Sequence, residues 1–155
     1  MSVSESWRRT IEGTEYLITT DRELMDLDTI HDFLARQSYW ARGVPRSVVE
    51  RSIANSLCFG LLHAGGQIGF ARVISDFATI AYLGDVFVLP GFRGRGLSKW
   101  LLECVSSHPG LQNLRRWILV TGDAHELYEK FGFTQLARPE IFMERHNRDV
   151  YKSNG

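Results

Sequence analysis

Apolar and polar positions along this chain follow two different periods, and the switches between them mark out its elements. Alternating or continuous apolar stretches at Tyr16–Thr19, Leu57–His63, Ile68–Ser75 and Thr79–Leu89 predict strands. Ala64-Gly65-Gly66-Gln67, between the second and third of these, is a hairpin signal. Spacings of three and four predict a helix over Asp26–Gln37, with Leu27, Ile30 and Leu34 inward and an acidic first turn suited to the helix dipole. A second helix is expected up to about Asn55, opened by Ser47-x-x-Glu50 as a capping box, after a loop at Ser38–Pro45. A third spans 97–107, with Leu97, Leu101, Cys104 and Val105 on one face. Pro109-Gly110 breaks it before a strand at 117–121. Asp123 with Glu126 is expected to cap a final helix, Ala124–Phe131, and short strands at Thr134–Ala137 and Ile141–Arg145 close the chain. Residues 1–13 carry no comparable pattern and are expected to be a flexible tail. Helices interleaved with strands, some joined by hairpins, make the class α/β with a mixed sheet.

Composition narrows the picture without deciding it. At 155 residues the chain is expected to be one domain, 1–155, large enough to bury about 70% of its unfolded surface. Lys and Arg number 18, as do Asp and Glu, so no global field favours nucleic acid, a membrane or a polyanion. No apolar run is long enough to span a membrane, and the N-terminus lacks a signal-peptide core. Cys58 and Cys104 fall on apolar faces and read as reduced core thiols, so a cytoplasmic setting is expected. The five histidines have no metal-ligand spacing and no metal is expected, although His31 on the first helix could face a cleft.

The densest chemical signal is Val86-Phe-Val-Leu-Pro-Gly-Phe-Arg-Gly-Arg-Gly-Leu-Ser98, a strand ending in a basic, glycine-rich turn that opens directly into a helix. Such a turn aims backbone N–H groups and the positive end of a helix dipole at one point, a geometry that suits phosphate. Gly94 and Gly96 permit positive φ and close approach, while Arg93, Arg95 and Lys99 add charge. Gly91 and Gly96 have the spacing of an ATP-binding P-loop, but Leu97 and Ser98 occupy its Lys and Ser/Thr positions. The dinucleotide fingerprint fails because Lys99 stands where its third glycine belongs.

Arg93-Gly94-Arg95-Gly96-Leu97-Ser98 resembles instead the acetyl-CoA pyrophosphate loop of the GNAT N-acetyltransferase superfamily, with Ser98 in place of the usual small apolar residue. Ala124-His-Glu-Leu-Tyr-Glu-Lys-Phe-Gly-Phe133 resembles that family's later block, and the likeness runs from about Ile68 to Phe133. The resemblance implies a twisted, mostly antiparallel sheet of six or seven strands flanked by four helices. It implies acetyl-CoA as acyl donor, held by Val86, Phe87 and Val88 on a bulged, splayed strand and by Arg93, Gly94, Arg95, Gly96, Leu97, Ser98 and Lys99. Tyr128 stands where relatives place a phenol that reaches the sulfur, whereas Thr121 replaces an asparagine that contacts the cofactor in many of them.

Acyl transfer from a thioester to an amine needs deprotonation of the amine, stabilisation of an oxyanion and protonation of the departing thiolate. A phenol at Tyr128 can supply the last of these; its other reading is a core aromatic. Asp85 is a carboxylate on an otherwise apolar strand. With a four-residue turn at Asp76–Thr79, residue 70 would face 85 and residue 72 would face 83, leaving Arg72 and Asp85 as diagonal neighbours. Asp85 is therefore either a base or wire member, or half of an ion pair, and pairing would favour a water-mediated role. The acceptor pocket is expected at Ser38–Pro45, where Tyr39 and Trp40 could enclose a small amine and Arg42 or Arg72 could hold a carboxylate. Trp40 could equally plug the helix junction. The expected activity is transfer of an acetyl group from acetyl-CoA to the primary amine of a small molecule or amino acid, directly within a ternary complex. A protein or peptide acetyltransferase and a silent CoA-binding regulatory module are the alternatives. Nucleic acid and membrane partners are not expected, and a homodimer is open.

Overall fold

The computed structural model describes residues 3–152. Six strands form one open sheet in the order β1-β2-β3-β4-β5-β6: Ser6–Ile11, Thr14–Thr19, Leu57–His63, Gly66–Ser75, Ile80–Val88 and Arg116–Leu119. The first five pair antiparallel, and β6 joins β5 in parallel. Helices α1 (Leu27–Asp32) and α2 (Arg46–Ala54) lie between β2 and β3, α3 (Leu97–Ser107) between β5 and β6, and α4 (His125–Glu129) after β6.

Period-2 alternation divides the sheet into two faces, as pleating requires. Cys58, Phe70 and Phe87 point toward Ile30, Phe33 and Leu34 of the α1 region and Val49 and Ile53 of α2. Phe59, Ala71 and Val88 point the other way, toward Leu97, Trp100, Leu101, Cys104 and Val105 of α3. Phe33 stacks on Phe87 with centroids 4.0 Å apart, which fixes the α1 region over the last turn of β5. Beyond Asp32 the helix widens into a π-helical turn, Phe33–Gln37, closed by the Ser38 N–H donating to the Phe33 carbonyl. Cys58 and Cys104 belong to separate clusters on opposite faces and are free thiols. Among the described residues no helix is long and apolar enough to cross a membrane.

Several sequence expectations are corrected. Residues 6–11, expected in a flexible tail, are β1, zipped to β2 from Ser6↔Thr19 to Ile11↔Thr14; residues 1–2 lie outside the described range. A β-turn at Glu12-Gly13, both with positive φ, makes this hairpin. The Ser47–Glu50 capping box does not form, because the N-cap of α2 is Pro45, two residues before Ser47, and its carbonyl accepts from the Val48 and Val49 N–H groups. Asp123 and Glu126 do not cap α4; the Thr121 hydroxyl accepts from the Asp123 and Ala124 N–H groups instead. Residues 134–137 and 141–145 are not strands. A one-turn 3-10 helix at Pro139–Ile141 diverts the chain from the β6 edge, and an alternating pattern without a partner backbone makes no ladder. The chain then runs toward the 38–45 loop, where the Tyr151 carbonyl comes within 3.6 Å of the Cβ position of Gly43.

Candidate functional site

The register of β4 and β5 builds the site. The expected pairs 70↔85 and 72↔83 are replaced by Phe70↔Phe87 and Arg72↔Gly84. One residue of the difference arises at the turn, where Ser75 pairs with Ala81, and one at a bulge that sets Asp85 and Val86 opposite Ala71. Asp85 carries that bulge with φ of 54°, a left-handed conformation that Asp and Asn tolerate better than other side chains. On the other side of β5, the parallel ladder to β6 stops at Leu83↔Leu119. From Gly84 to Val88 the β5 backbone therefore has no strand partner on the β6 side, and a cleft of about 780 Å³ opens between the two strands. Val86 lines that cleft, while the Phe87 and Val88 side chains are buried in opposite core layers. The Phe87 and Val88 side chains are thus out of reach of a ligand in the cleft.

Beyond Val88, a short 3-10 turn at Pro90–Phe92 leads into the basic loop. Arg93 donates from Nε to the Val88 carbonyl at 2.9 Å, tying the loop to the strand end. Arg95 donates from Nη1 to the Tyr16 hydroxyl at 3.0 Å and lies over the Phe92 ring, which draws it back toward β2. Gly94 and Gly96 have φ of 81° and 75°, and a Cβ on either would meet nothing within 4 Å. The requirement for glycine here is thus one of backbone conformation, beside open space. Gly96 serves as N-cap of α3 with no side-chain hydrogen bond, and the Trp100 N–H to Gly96 carbonyl bond opens the helix. The N–H groups before Trp100 therefore face outward around Leu97, Ser98 and the exposed Lys99, an arrangement that fits a pyrophosphate.

Over the split, Tyr128 of α4 lines the cleft and packs edge-on to Phe133 at 6.0 Å. Burial pushes its phenol up to about 12, with Tyr39 and Asp123 adding to the shift. The hydroxyl accordingly stays protonated and able to donate at neutral pH.

Asp85 has both carboxylate oxygens engaged. Arg72 Nε donates to Oδ2 at 2.8 Å, with the two side chains only 17% and 11% exposed, and Trp40 Nε1 donates to Oδ1 at 2.8 Å. Arg72 Nη1 also donates to the Ser56 hydroxyl at 3.1 Å. The guanidinium that sequence reasoning offered to a substrate carboxylate is thus already committed, and Arg42 does not line the cleft. Tyr39 stands edge-on to Trp40, and its hydroxyl accepts from the Gly122 N–H at 2.7 Å, bridging the α1–α2 loop to the β6–α4 loop across the cleft mouth. The Ser38 hydroxyl donates to the Leu34 carbonyl and accepts from the Ala41 N–H, which holds this loop in shape. His31 is turned to the Val44 carbonyl at 2.9 Å rather than to the cleft.

Sequence reasoning missed Ser56, the Gly122 bridge, Asp123 and the run Glu144–Arg148 along the cleft wall. All depend on contacts distant in sequence, and the last was concealed by an expected strand. Among the described residues no group of three His, Cys, Asp or Glu side chains is arranged to hold a metal.

The comparisons agree with this geometry. A family model described as "Acetyltransferase (GNAT) domain" matches residues 54–135. FG08082 of Gibberella zeae, a candidate acetyltransferase by its name, is 30% identical over 146 residues, covering 81% of this chain and 80% of its own. A crystal structure of a GNAT-family protein from Xanthomonas campestris pv. campestris superposes with a TM-score of 0.87 at 50% identity, covering 89% of this chain and 97% of that one. A Clostridium acetobutylicum structure with acetyl-CoA shares the fold alone, with a TM-score of 0.54 at 13% identity over 93% of this chain and 96% of that one. A bulged strand splayed from its parallel neighbour, an uncapped helix start after a basic glycine loop and a protonated phenol above them thus belong to a chain of the GNAT acetyltransferase family, whose members use acetyl-CoA.

Proposed function

We propose that this chain transfers an acetyl group from acetyl-CoA to the primary amine of a small molecule or amino acid, directly and with both substrates bound together. The observation that carries the reading is the split between β5 and β6. It leaves the Gly84–Val88 backbone without a strand partner on the β6 side, with Gly84, Asp85 and Val86 lining the cleft and the basic loop and the start of α3 following in the chain. In this reading the N–H groups from Gly94 to Lys99 hold the pyrophosphate, and the β6-facing main chain of Val86–Val88 aligns the pantetheine arm. A main-chain N–H of that segment faces the thioester carbonyl oxygen and stabilises the negative charge that develops there.

Acetyl-CoA supplies an activated acyl group on a thiol leaving group. The new C–N bond replaces the C–S bond. Tyr128 gives its proton to the departing thiolate and recovers one from solvent, and the amine sheds its proton to water in the cleft. Asp85 acts as a positioning residue in this scheme. It neutralises Arg72 and holds the Trp40 ring as a wall of the acceptor site, while both its oxygens are occupied. The Tyr39–Gly122 bridge over the mouth favours a compact acceptor over a lysine presented on a protein surface. A cytoplasmic setting fits two buried free thiols.

The test is an initial-rate matrix over acetyl-CoA and each of a panel of amines. Intersecting double-reciprocal lines are expected for a ternary complex; parallel lines would overturn direct transfer.

A further inference from the structure

Four charged side chains line the acceptor cleft and have no ion-pair partner among the described residues. Asp123 comes from the β6–α4 loop, and Glu144, Arg145 and Arg148 from the C-terminal run. The other charges there, Arg72 and Asp85, cancel each other. The cleft therefore presents two free carboxylates and two free guanidiniums to whatever enters it. A plain amine meets repulsion from the guanidiniums and a plain anion meets repulsion from the carboxylates, whereas a molecule bearing both charges satisfies each set.

We propose that the acceptor is a zwitterionic amine, an amino acid in chemical class, with its carboxylate taken by Arg145 and Arg148 and its ammonium drawn to the Asp123 side. The proposal rests on the acetyltransferase reading above and narrows its substrate. The orientation follows from position. Asp123 lies in the loop that leads into α4 and lines the cleft together with Tyr128 of that helix, so the ammonium end lies beside the point of transfer. Arginine is the suitable cation for the far end, since its planar fork can grip a carboxylate through two parallel hydrogen bonds. The roof formed by Tyr39 and by Trp40, fixed on Asp85, sets the compact size.

The experiment compares amino acids with their carboxamides as acceptors at saturating acetyl-CoA, for the wild type and for R145Q/R148Q. The carboxamide keeps size and amine while losing the negative charge, and its amine is the less basic of the two, so intrinsic reactivity near neutral pH favours it. The proposal expects kcat/KM at least 10-fold higher for the best amino acid than for its amide, carried mainly by KM, with that ratio falling about 10-fold in the double variant. Calorimetric titration with acetyl-CoA shows that the variant is folded. Amides or simple amines used as well as amino acids, or a preference that survives in R145Q/R148Q, would overturn the inference and leave the acetyltransferase reading standing. Failure of every amine to accept an acetyl group would overturn both.

Discussion

Asp85→Asn separates a structural carboxylate from a catalytic base, and the backbone makes it an unusually clean substitution. Asp85 sits at φ of 54°, where asparagine is as comfortable as aspartate, so the change removes charge without adding backbone strain. What it takes away is the counter-charge of Arg72, held at 2.8 Å with both side chains largely buried. Breaking a buried pair by removing one partner costs about 3–5 kcal/mol. Arg72 keeps its Ser56 hydrogen bond and some solvent, and the Asn oxygen can still accept from either Trp40 or Arg72, which lowers the expected loss to about 2–3 kcal/mol. For a chain of this size that corresponds to a fall in Tm of about 5–10 °C. Urea melts of wild type, Asp85→Asn, Arg72→Gln and the double variant measure it. The double variant should be less destabilised than the sum of the singles, because the second change removes the charge that the first left unpaired. A pH–rate profile at saturating acetyl-CoA should run parallel to that of wild type. An unshifted melt combined with a loss of kcat concentrated at low pH and rescued at high pH would refute the positioning role and make Asp85 the base.

Gly96→Asp should abolish acetyl-CoA binding by calorimetry in a protein that still unfolds cooperatively, because its side chain would project into the open space before α3 as a negative charge; near-wild-type affinity would exclude this loop as the phosphate site. Tyr128→Phe keeps the ring packing and should lower kcat about 10²-fold with acetyl-CoA affinity retained; an unchanged kcat with chemistry shown to be rate-limiting would return Tyr128 to the core. Cys58 and Cys104 are both buried, and desolvation pushes both thiols up to about 12, so neither should react with a thiol reagent at about pH 8 until urea unfolds the chain; rapid labelling of the native protein would contradict the packing.

Local signals carried much of this molecule and long-range ones did not. Helix α3 begins and ends where its apolar spacing and the preceding glycines put it, and β3, β4 and β5 fall within two residues of their expected bounds, because a buried face imposes its period on the residues themselves. The Arg72–Asp85 pair was legible for the same reason, even though the assumed register was wrong: a bulge shifts the pairing yet leaves the two side chains as neighbours. β1 was missed because Ser6–Ile11 is a largely exposed edge strand whose core-packed face holds only Trp7 and Ile11, with Arg9 between them. At 134–145 the opposite error occurred, since alternation marks a segment able to pair but cannot supply a partner. The cleft's outer wall joins residues about a hundred positions apart, such as Val44 and Tyr151, and no window along the chain reports that.

The central claim is acetyl transfer at the β5–β6 split. It is tested most directly by supplying acetyl-CoA with an isotopically labelled acetyl group to the protein and a panel of amines, and measuring acetylated amine and free thiol together. The account expects one labelled acetyl on the amine for each thiol released, and neither product with Gly96→Asp. Acetyl-CoA bound without transfer to any amine, or transfer that persists undiminished in Gly96→Asp, would contradict it.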